Sequence, residues 1–347
     1  MSEYDIRQVY ADDALGMAQV DGLLTQEGIR RDRNLEYTCA MFDEEGRIAA
    51  TGSCFGSTLR CFAVSSAHQG EGLLNQIVTH LISYQAERGR FHLFLYTKTE
   101  TAHFFADLGF HEIARVPGKI VFMENRRNGF PGYLKQLEKT VRTGVSAAVV
   151  MNANPFTLGH QHLVEQAAAS CDTLHLFIVS EDSSFFPFSV RKKLVELGTA
   201  HLPNVVLHDC GPYIISAATF PTYFLKDEED VMEGQARLDI AVFKKIAAVL
   251  NISSRWAGEE PMSRVTSAYN RVMAEELPRA GIRFVEIPRA LDSGAVISAS
   301  SVRASLKNGD FKALETLVPE STLEYLRSPD AEPVLEKLRR AETVVHH

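Results

Sequence analysis

The sequence predicts two α/β folds in tandem: a mixed α+β domain, then a doubly wound parallel sheet. Three observations predict this. A chain of 347 residues has room for about two domains. A polar stretch rich in Gly and Pro, Asn125-Arg126-Arg127-Asn128-Gly129-Phe130-Pro131-Gly132, sits where a joint belongs. From Gly144 onward, apolar strand-like runs alternate with helical periods, as parallel sheets with crossover helices do. The expected boundaries are residues 1–125 for the first domain, 126–143 for a linker and 144–347 for the second domain with C-terminal helices.

Hydrophobic residues at 45% and charged residues at 23% leave enough apolar material for real cores. A net charge of −8 argues against a nucleic-acid partner by bulk electrostatics. The five cysteines are odd in number and none form a CxxC spacing, which predicts reduced thiols and a cytoplasmic protein. The start carries Glu3, Asp5, Asp12 and Asp13 with no long apolar run, so no signal peptide is expected. Nothing approaches the ~20 apolar residues of a membrane span.

In the first domain, residues 13–28 read as a helix and 30–34 as a polar turn. Strands follow at 37–42 and 47–54, with Asp43-Glu44-Glu45-Gly46 as the hairpin turn between them. A strand at 58–64 ends in a loop over 65–72. Leu73, Leu74, Ile77, Val78, Leu81 and Ile82 then repeat with a helical period. A strand at 91–96, a helix at 101–108 stopped by Gly109, and strands at 110–115 and 120–123 complete the sheet. The Gln69-Gly70-Glu71-Gly72 turn before a helix, and Phe104-Phe105-Ala106-Asp107-Leu108-Gly109-Phe110 after the next strand, resemble the GNAT acyltransferase fold. That resemblance implies a pyrophosphate-bearing thiol arm held by Gln69, Gly70 and Gly72. Two departures matter. Ala67 stands where the family carries Gln or Arg, and Phe105 stands where a tyrosine commonly protonates the departing thiolate. A phenyl ring has no proton to give, so the domain is expected to bind a pantetheine arm without ordinary acetyl transfer.

The second domain opens on a nearly unbroken apolar run, Val145 to Met151, the mark of a buried parallel strand. The loop Asn152-Ala153-Asn154-Pro155-Phe156-Thr157-Leu158 follows, and a helix opens near Gly159 with His160 in its first turn. A strand, turn and helix in that order aim free backbone N–H groups and a positive dipole end at a bound phosphate, and the imidazole adds a donor or a charge. Further strands are expected at 174–180, 205–209, 252–257 and 282–287. Phe185, Phe186 and Phe188 either wall a pocket or pack. Gly258 allows close approach of a ribose or adenine at a strand's carboxyl end, and Glu259 can accept its hydroxyls. The aromatic segment 220–226, with Lys226, either borders the acyl site or caps the next helix. Asp292-Ser293-Gly294 reads as a turn, and Ser298 or Ser300 starts the helix after it.

Thr157-Leu158-Gly159-His160 resembles the HxGH signature of the nucleotidyltransferase superfamily, with Thr in place of the first His. The downstream signature of that superfamily, ISxSxxR, is matched by Ile297-Ser298-Ala299-Ser300-Ser301-Val302-Arg303. The resemblance implies a Rossmann-like fold that transfers an adenylyl group from ATP. A GNAT-like domain fused to such a domain, with the 152–160 sequence, resembles the citrate lyase ligase family over essentially the full length. That resemblance implies a ligase using ATP and Mg2+, with acetate and the citrate lyase acyl carrier as partners, and AMP and pyrophosphate as products. The acceptor thiol is that of the carrier's phosphoribosyl-dephospho-coenzyme A group. It assigns His160 and Thr157 to the α-phosphate and Asn152 and Asn154 to the nucleotide or acetate. Ser298, Ser300, Ser301, Arg303 and Arg191 would hold the outer phosphates, with Phe156 and Gly159 completing the nucleotide loop. No acidic cluster marks a dedicated metal cage. The rival expectation is a cofactor adenylyltransferase, forming NAD or dephospho-coenzyme A, with a regulatory GNAT domain.

Overall fold

The computed structural model describes residues 4–32, 34–180, 184–214, 228–259, 264–292 and 294–344. The aromatic segment 220–226, Lys226 and the Glu260-Pro261 pair lie outside them. The chain divides into two units, residues 1–133 with 219–241, and residues 134–218 with 242–347.

The first unit is built on a seven-stranded sheet. In chain order its elements are β1 (Asp5–Gln8), α1 (Ala14–Gln26), β2 (Tyr37–Phe42), β3 (Ile48–Phe55), β4 (Thr58–Val64), α2 (Leu73–Ala86), β5 (Phe94–Thr97), α3 (Ala102–Asp107), β6 (His111–Val116) and β7 (Ile120–Glu124). The sheet order is β1-β2-β3-β4-β5-β7-β6. Strand alternation feeds two cores. Cys39 and Met41 pack with Ile77, Val78 and Leu81 of α2, while Ala40 packs with Val20, Leu23 and Leu24 of α1. The four-residue strand β1, paired with β2, is too short and mixed for a periodicity argument to find.

β4 and β5 form the one parallel pair of this sheet among the described residues. Their ladder covers only Thr58↔Phe94 and Leu59↔Leu95, although the strands run on to Val64 and Thr97. The exposed Gln69–Gly72 turn follows β4. Gly72 adopts φ 74° and leads α2 with no side-chain cap on its first N–H groups. Phe105 is 4% exposed and packs on Phe62 at 5.3 Å between ring centroids. The position to which the GNAT resemblance would assign a hydroxyl is thus part of the core.

Helix α4 (Gly129–Glu138) occupies the expected linker. The second unit follows with β8 (Ser146–Met151), α5 (Leu158–Ala169), β9 (Thr173–Ile178), α6 (Phe188–Thr199) and β10 (Val205–Asp209). Helix α7 (Glu228–Leu250), which belongs to the first unit up to Ala241 and to the second from Val242, leads into β11 (Ile252–Gly258), α8 (Arg264–Arg279) and β12 (Arg283–Ile287). A hairpin of β13 (Leu291–Asp292) and β14 (Ala295–Val296) surrounds the expected turn, and α9 (Ala299–Lys307), α10 (Glu320–Arg327) and α11 (Glu332–Arg340) end the chain. The five parallel strands run β10-β9-β8-β11-β12. The chain builds outward from β8 to β10, then restarts on the other side at β11. That reversal makes the carboxyl ends of β8 and β11 the topological switch point, the place where open α/β sheets bind ligands.

Burial selects the apolar run of β8: Ala147, Ala148 and Val149 are fully covered. Beside it, one polar pair breaks the pattern. His175 Nδ1 and His208 Nε2 are 2.9 Å apart, one ring donating to the other, and both rings are buried. Burial pushes both down to about 4, with Arg142 adding repulsion at His175 and His175 at His208. Both are therefore neutral when folded but titrate near 6.5 when unfolded. A depressed histidine contributes stability that is full above about pH 6.5 and is lost as pH falls toward 4. The second unit is expected to lose roughly 2–2.5 kcal/mol per ring between pH 7 and pH 4.5, or roughly 4–5 kcal/mol from the pair. Replacing both rings with Phe and Leu should flatten that part of the denaturant-midpoint curve. An unchanged slope in the double variant would refute the assignment.

Candidate active site

The site grows from the carboxyl end of β8. The chain leaves Met151, turns through Ala153 at φ 51° and enters α5. Thr157 caps that helix: its hydroxyl oxygen accepts the His160 N–H at 3.3 Å, while its own N–H donates to His160 Nδ1 at 3.1 Å. Phe156 is fully buried, packs into the notch left by Gly198 and lies flat beneath His160, 5.8 Å between centroids and 17° between planes. The expected nucleotide contact at Phe156 is corrected accordingly: the ring floors the site from inside the core.

The two signature segments meet. A Cβ added at Gly159 would lie 2.9 Å from the Ile297 carbonyl oxygen, so only glycine lets the start of α5 approach the segment leading into α9. Ser298 caps α9, accepting the Ser301 N–H at 3.0 Å, with the two hydroxyls 2.8 Å apart. Ser300 accepts from Arg303 Nη2 at 3.1 Å. Both helix starts therefore converge near the carboxyl end of the central strand, with serine hydroxyls and backbone N–H groups beside a half-buried imidazole.

The expected roles of two arginines change. Arg191 is fully buried. Its Nη1 donates to the carbonyls of Asn152 and Val179, each at 2.8 Å, and to Asn152 Oδ1 at 2.9 Å, while Nε donates to the Phe186 carbonyl. Arg303 is 3% exposed and donates to the carbonyls of Asn154 at 2.6 Å and Val344 at 2.8 Å. Buried guanidinium groups require acceptors, and here backbone supplies them. Both arginines brace the loop from behind and do not present a phosphate fork. Burial also draws Arg303 down to about 10, still charged at neutral pH. Asn154, 2% exposed, accepts the Phe186 N–H at 3.0 Å, so it too is bracing. Asn152 is partly exposed and donates to Ser184 Oγ at 3.2 Å. Thr157, at 1% exposure, stands behind His160.

At the end of β11, Gly258 has nothing within 4 Å of its Cβ position, and Glu259 is exposed. The Glu259 carbonyl accepts Arg289 Nε at 2.6 Å. Sequence reasoning missed Arg289. It follows the carboxyl end of β12, next to Ala290, whose carbonyl accepts the Ile297 N–H. The signal was its place just past a strand end. Burial, then the Arg289 and Arg303 charges, push His160 down to about 4. The imidazole is thus neutral at physiological pH in the nucleotide-free protein. Among the described residues no three His, Cys, Asp or Glu side chains gather into a cation site, and no helix is long and apolar enough to cross a membrane.

Comparison with known proteins follows the same outline. Residues 146–326 match the family model described as the citrate lyase ligase C-terminal domain. A [citrate [pro-3S]-lyase] ligase of Escherichia coli (strain K12) is 40% identical over 319 residues, covering 90% of this chain and 90% of that protein. The corresponding ligase of Haemophilus influenzae is 37% identical, covering 90% of this chain and 95% of the relative. Among solved structures, the ribosomal-protein-S18-alanine N-acetyltransferase of Escherichia coli aligns with 35% of this chain and 92% of its own, at 18% identity and a TM-score of 0.28. Two helix starts meeting beside a neutral histidine, and similarity running through both units at this level, have one explanation: the chain belongs to the citrate lyase ligase family.

Proposed function

We propose that the chain is an AMP-forming acid–thiol ligase that activates acetate with ATP and acetylates the prosthetic-group thiol of the citrate lyase acyl carrier. The carrying observation is the meeting of the α5 and α9 starts, Gly159 against Ile297, at the carboxyl end of β8. Acetate is already ionised at neutral pH and needs no general base. Its oxygen attacks the α-phosphorus of ATP. The new O–P bond forms as the bond to the bridging oxygen breaks, and pyrophosphate leaves with that electron pair. The thiol sulfur then attacks the acyl carbon of acetyl adenylate, AMP departs, and the thiol proton passes to solvent.

The protein's part is positioning and charge stabilisation. His160 donates to an α-phosphate oxygen. The first-turn N–H groups of α5 and α9, with Ser300 and Ser301, hold the outer phosphates, and Gly258 and Glu259 take the ribose side. Mg2+ would arrive bound to the triphosphate, as it does with one or two ligands from protein and the rest from phosphate and water. In the first unit, Gln69, Gly70 and Gly72 present donors to the thiol arm, supported by the uncapped start of α2 and the short β4–β5 ladder. Buried Phe105 fits binding without GNAT-type chemistry. A cofactor adenylyltransferase is disfavoured, because the relatives are ligases over nine-tenths of the chain.

Mass spectrometry of the carrier after incubation with ATP and a panel of short acids tests the reading. One acetyl group gained, only with ATP and acetate, and matched by pyrophosphate release is the expected result. Pyrophosphate release that depends on a phosphorylated cofactor precursor and not on acetate would replace it with the adenylyltransferase.

A further inference from the structure

A donor histidine must carry its proton on the correct ring nitrogen, and the start of α5 decides which one. Nδ1 of His160 lies 3.1 Å from the Thr157 backbone nitrogen and 2.9 Å from the Thr157 hydroxyl oxygen. A backbone N–H can only donate, so Nδ1 accepts and bears no hydrogen. The hydroxyl oxygen already accepts the His160 N–H, which leaves its one O–H free to point at the same Nδ1. A neutral imidazole has a single ring proton, which then resides on Nε2, at the opposite edge of the ring. Turning the ring over would replace Nδ1 by a carbon and lose both bonds. Phe156, stacked at 17°, holds the ring plane.

We infer that Thr157 is a positioning residue whose N–H and hydroxyl fix His160 as the Nε2–H tautomer, aimed away from the helix cap and toward the reacting phosphate. The inference rests on the adenylyl-transfer reading for its last clause only. The proton arrangement is a property of the nucleotide-free protein. Neither residue gains or loses a proton in the reaction. The charged groups that bear on the ring are Arg289 and Arg303, and both oppose a second proton on it.

Long-range 1H–15N spectra of the nucleotide-free protein, labelled at histidine, read the tautomer. The chain has 12 histidines, and the His160 signals are those lost in His160→Gln. From about pH 8 to about pH 5.5 the wild type should show a protonated Nε2 and a bare Nδ1. Thr157→Val keeps the shape and the backbone N–H but removes the hydroxyl. The backbone N–H still imposes the Nε2–H tautomer there, but without the hydroxyl the ring should loosen, broadening its signals and slowing acetate-dependent exchange about tenfold to a hundredfold, the usual cost of losing a partner that orients an active imidazole. Thr157→Ser should restore both. An Nδ1–H or doubly protonated ring in the wild type overturns the inference, as do unchanged ring signals and an unchanged rate in Thr157→Val. If the valine variant does not fold, the wild-type spectrum still decides. An Nε2–H ring in a wild type that lacks acetate-dependent exchange would sink the reaction reading and leave the tautomer assignment in place.

Discussion

Replacing His160 with alanine is expected to lower acetate-dependent ATP–pyrophosphate exchange by about 10²–10³-fold, the loss typical of one donor removed from developing charge. The fold should survive. Alanine keeps the N–H that reaches the Thr157 hydroxyl, and His160 is only half-buried. His160→Gln, which restores a neutral donor, should recover part of the rate. The pH dependence separates this role from acid catalysis. With the pKa of the nucleotide-free ring held near 4, kcat/KM for ATP should show no histidine limb from pH 5.5 to 8. Exchange assays across that range, with circular dichroism as a control for folding, check both statements. Full activity in the alanine variant would remove His160 from the phosphate.

The second large effect concerns Arg191. Methionine at this position matches its length but offers no donors. The carbonyls of Asn152, Val179 and Phe186 would then lose their Arg191 donor inside the protein. Leaving a buried acceptor without its donor costs about 1–3 kcal/mol, so about 3–5 kcal/mol is expected for the three together. For a unit of this size that is a fall in Tm of roughly 6–20 °C. If Arg191 were instead a phosphate ligand, thermal stability would hold and the KM for ATP would rise. Thermal unfolding with and without ATP distinguishes the two. A Tm within a degree or two of the wild type would reject the bracing role.

The contrast between these residues shows what the sequence carries. Strand β8 was legible because an apolar run has one comfortable place, the middle of a parallel sheet. Helix α2 was legible because its apolar residues repeat with a helical period. The meeting of the two signature segments was legible because each places polar residues at a helix start. Arg191 and Arg303 were misread because a cation in a motif looks the same whether it faces a ligand or a ring of carbonyls. Only tertiary burial tells them apart. Phe156 was misread for a similar reason: the notch at Gly198 that receives it lies 42 positions further along. Arg289 was passed over because it belongs to no signature, and its place depends on where β12 ends beside β11. The hairpin β13–β14 has strands of two residues each, below the length at which alternation can be seen.

The Arg303 bond to the Asn154 carbonyl spans 149 positions of sequence. Chain emerging from a ribosome would have strand β8 and helix α5 in hand long before that guanidinium exists. The loop between them stays without this brace until residue 303 has been made, and the carbonyl of Val344 then secures the same side chain. Loop closure over such a separation is slow compared with local helix formation. The loop that follows β8 is therefore expected to be among the last parts of the second unit to mature.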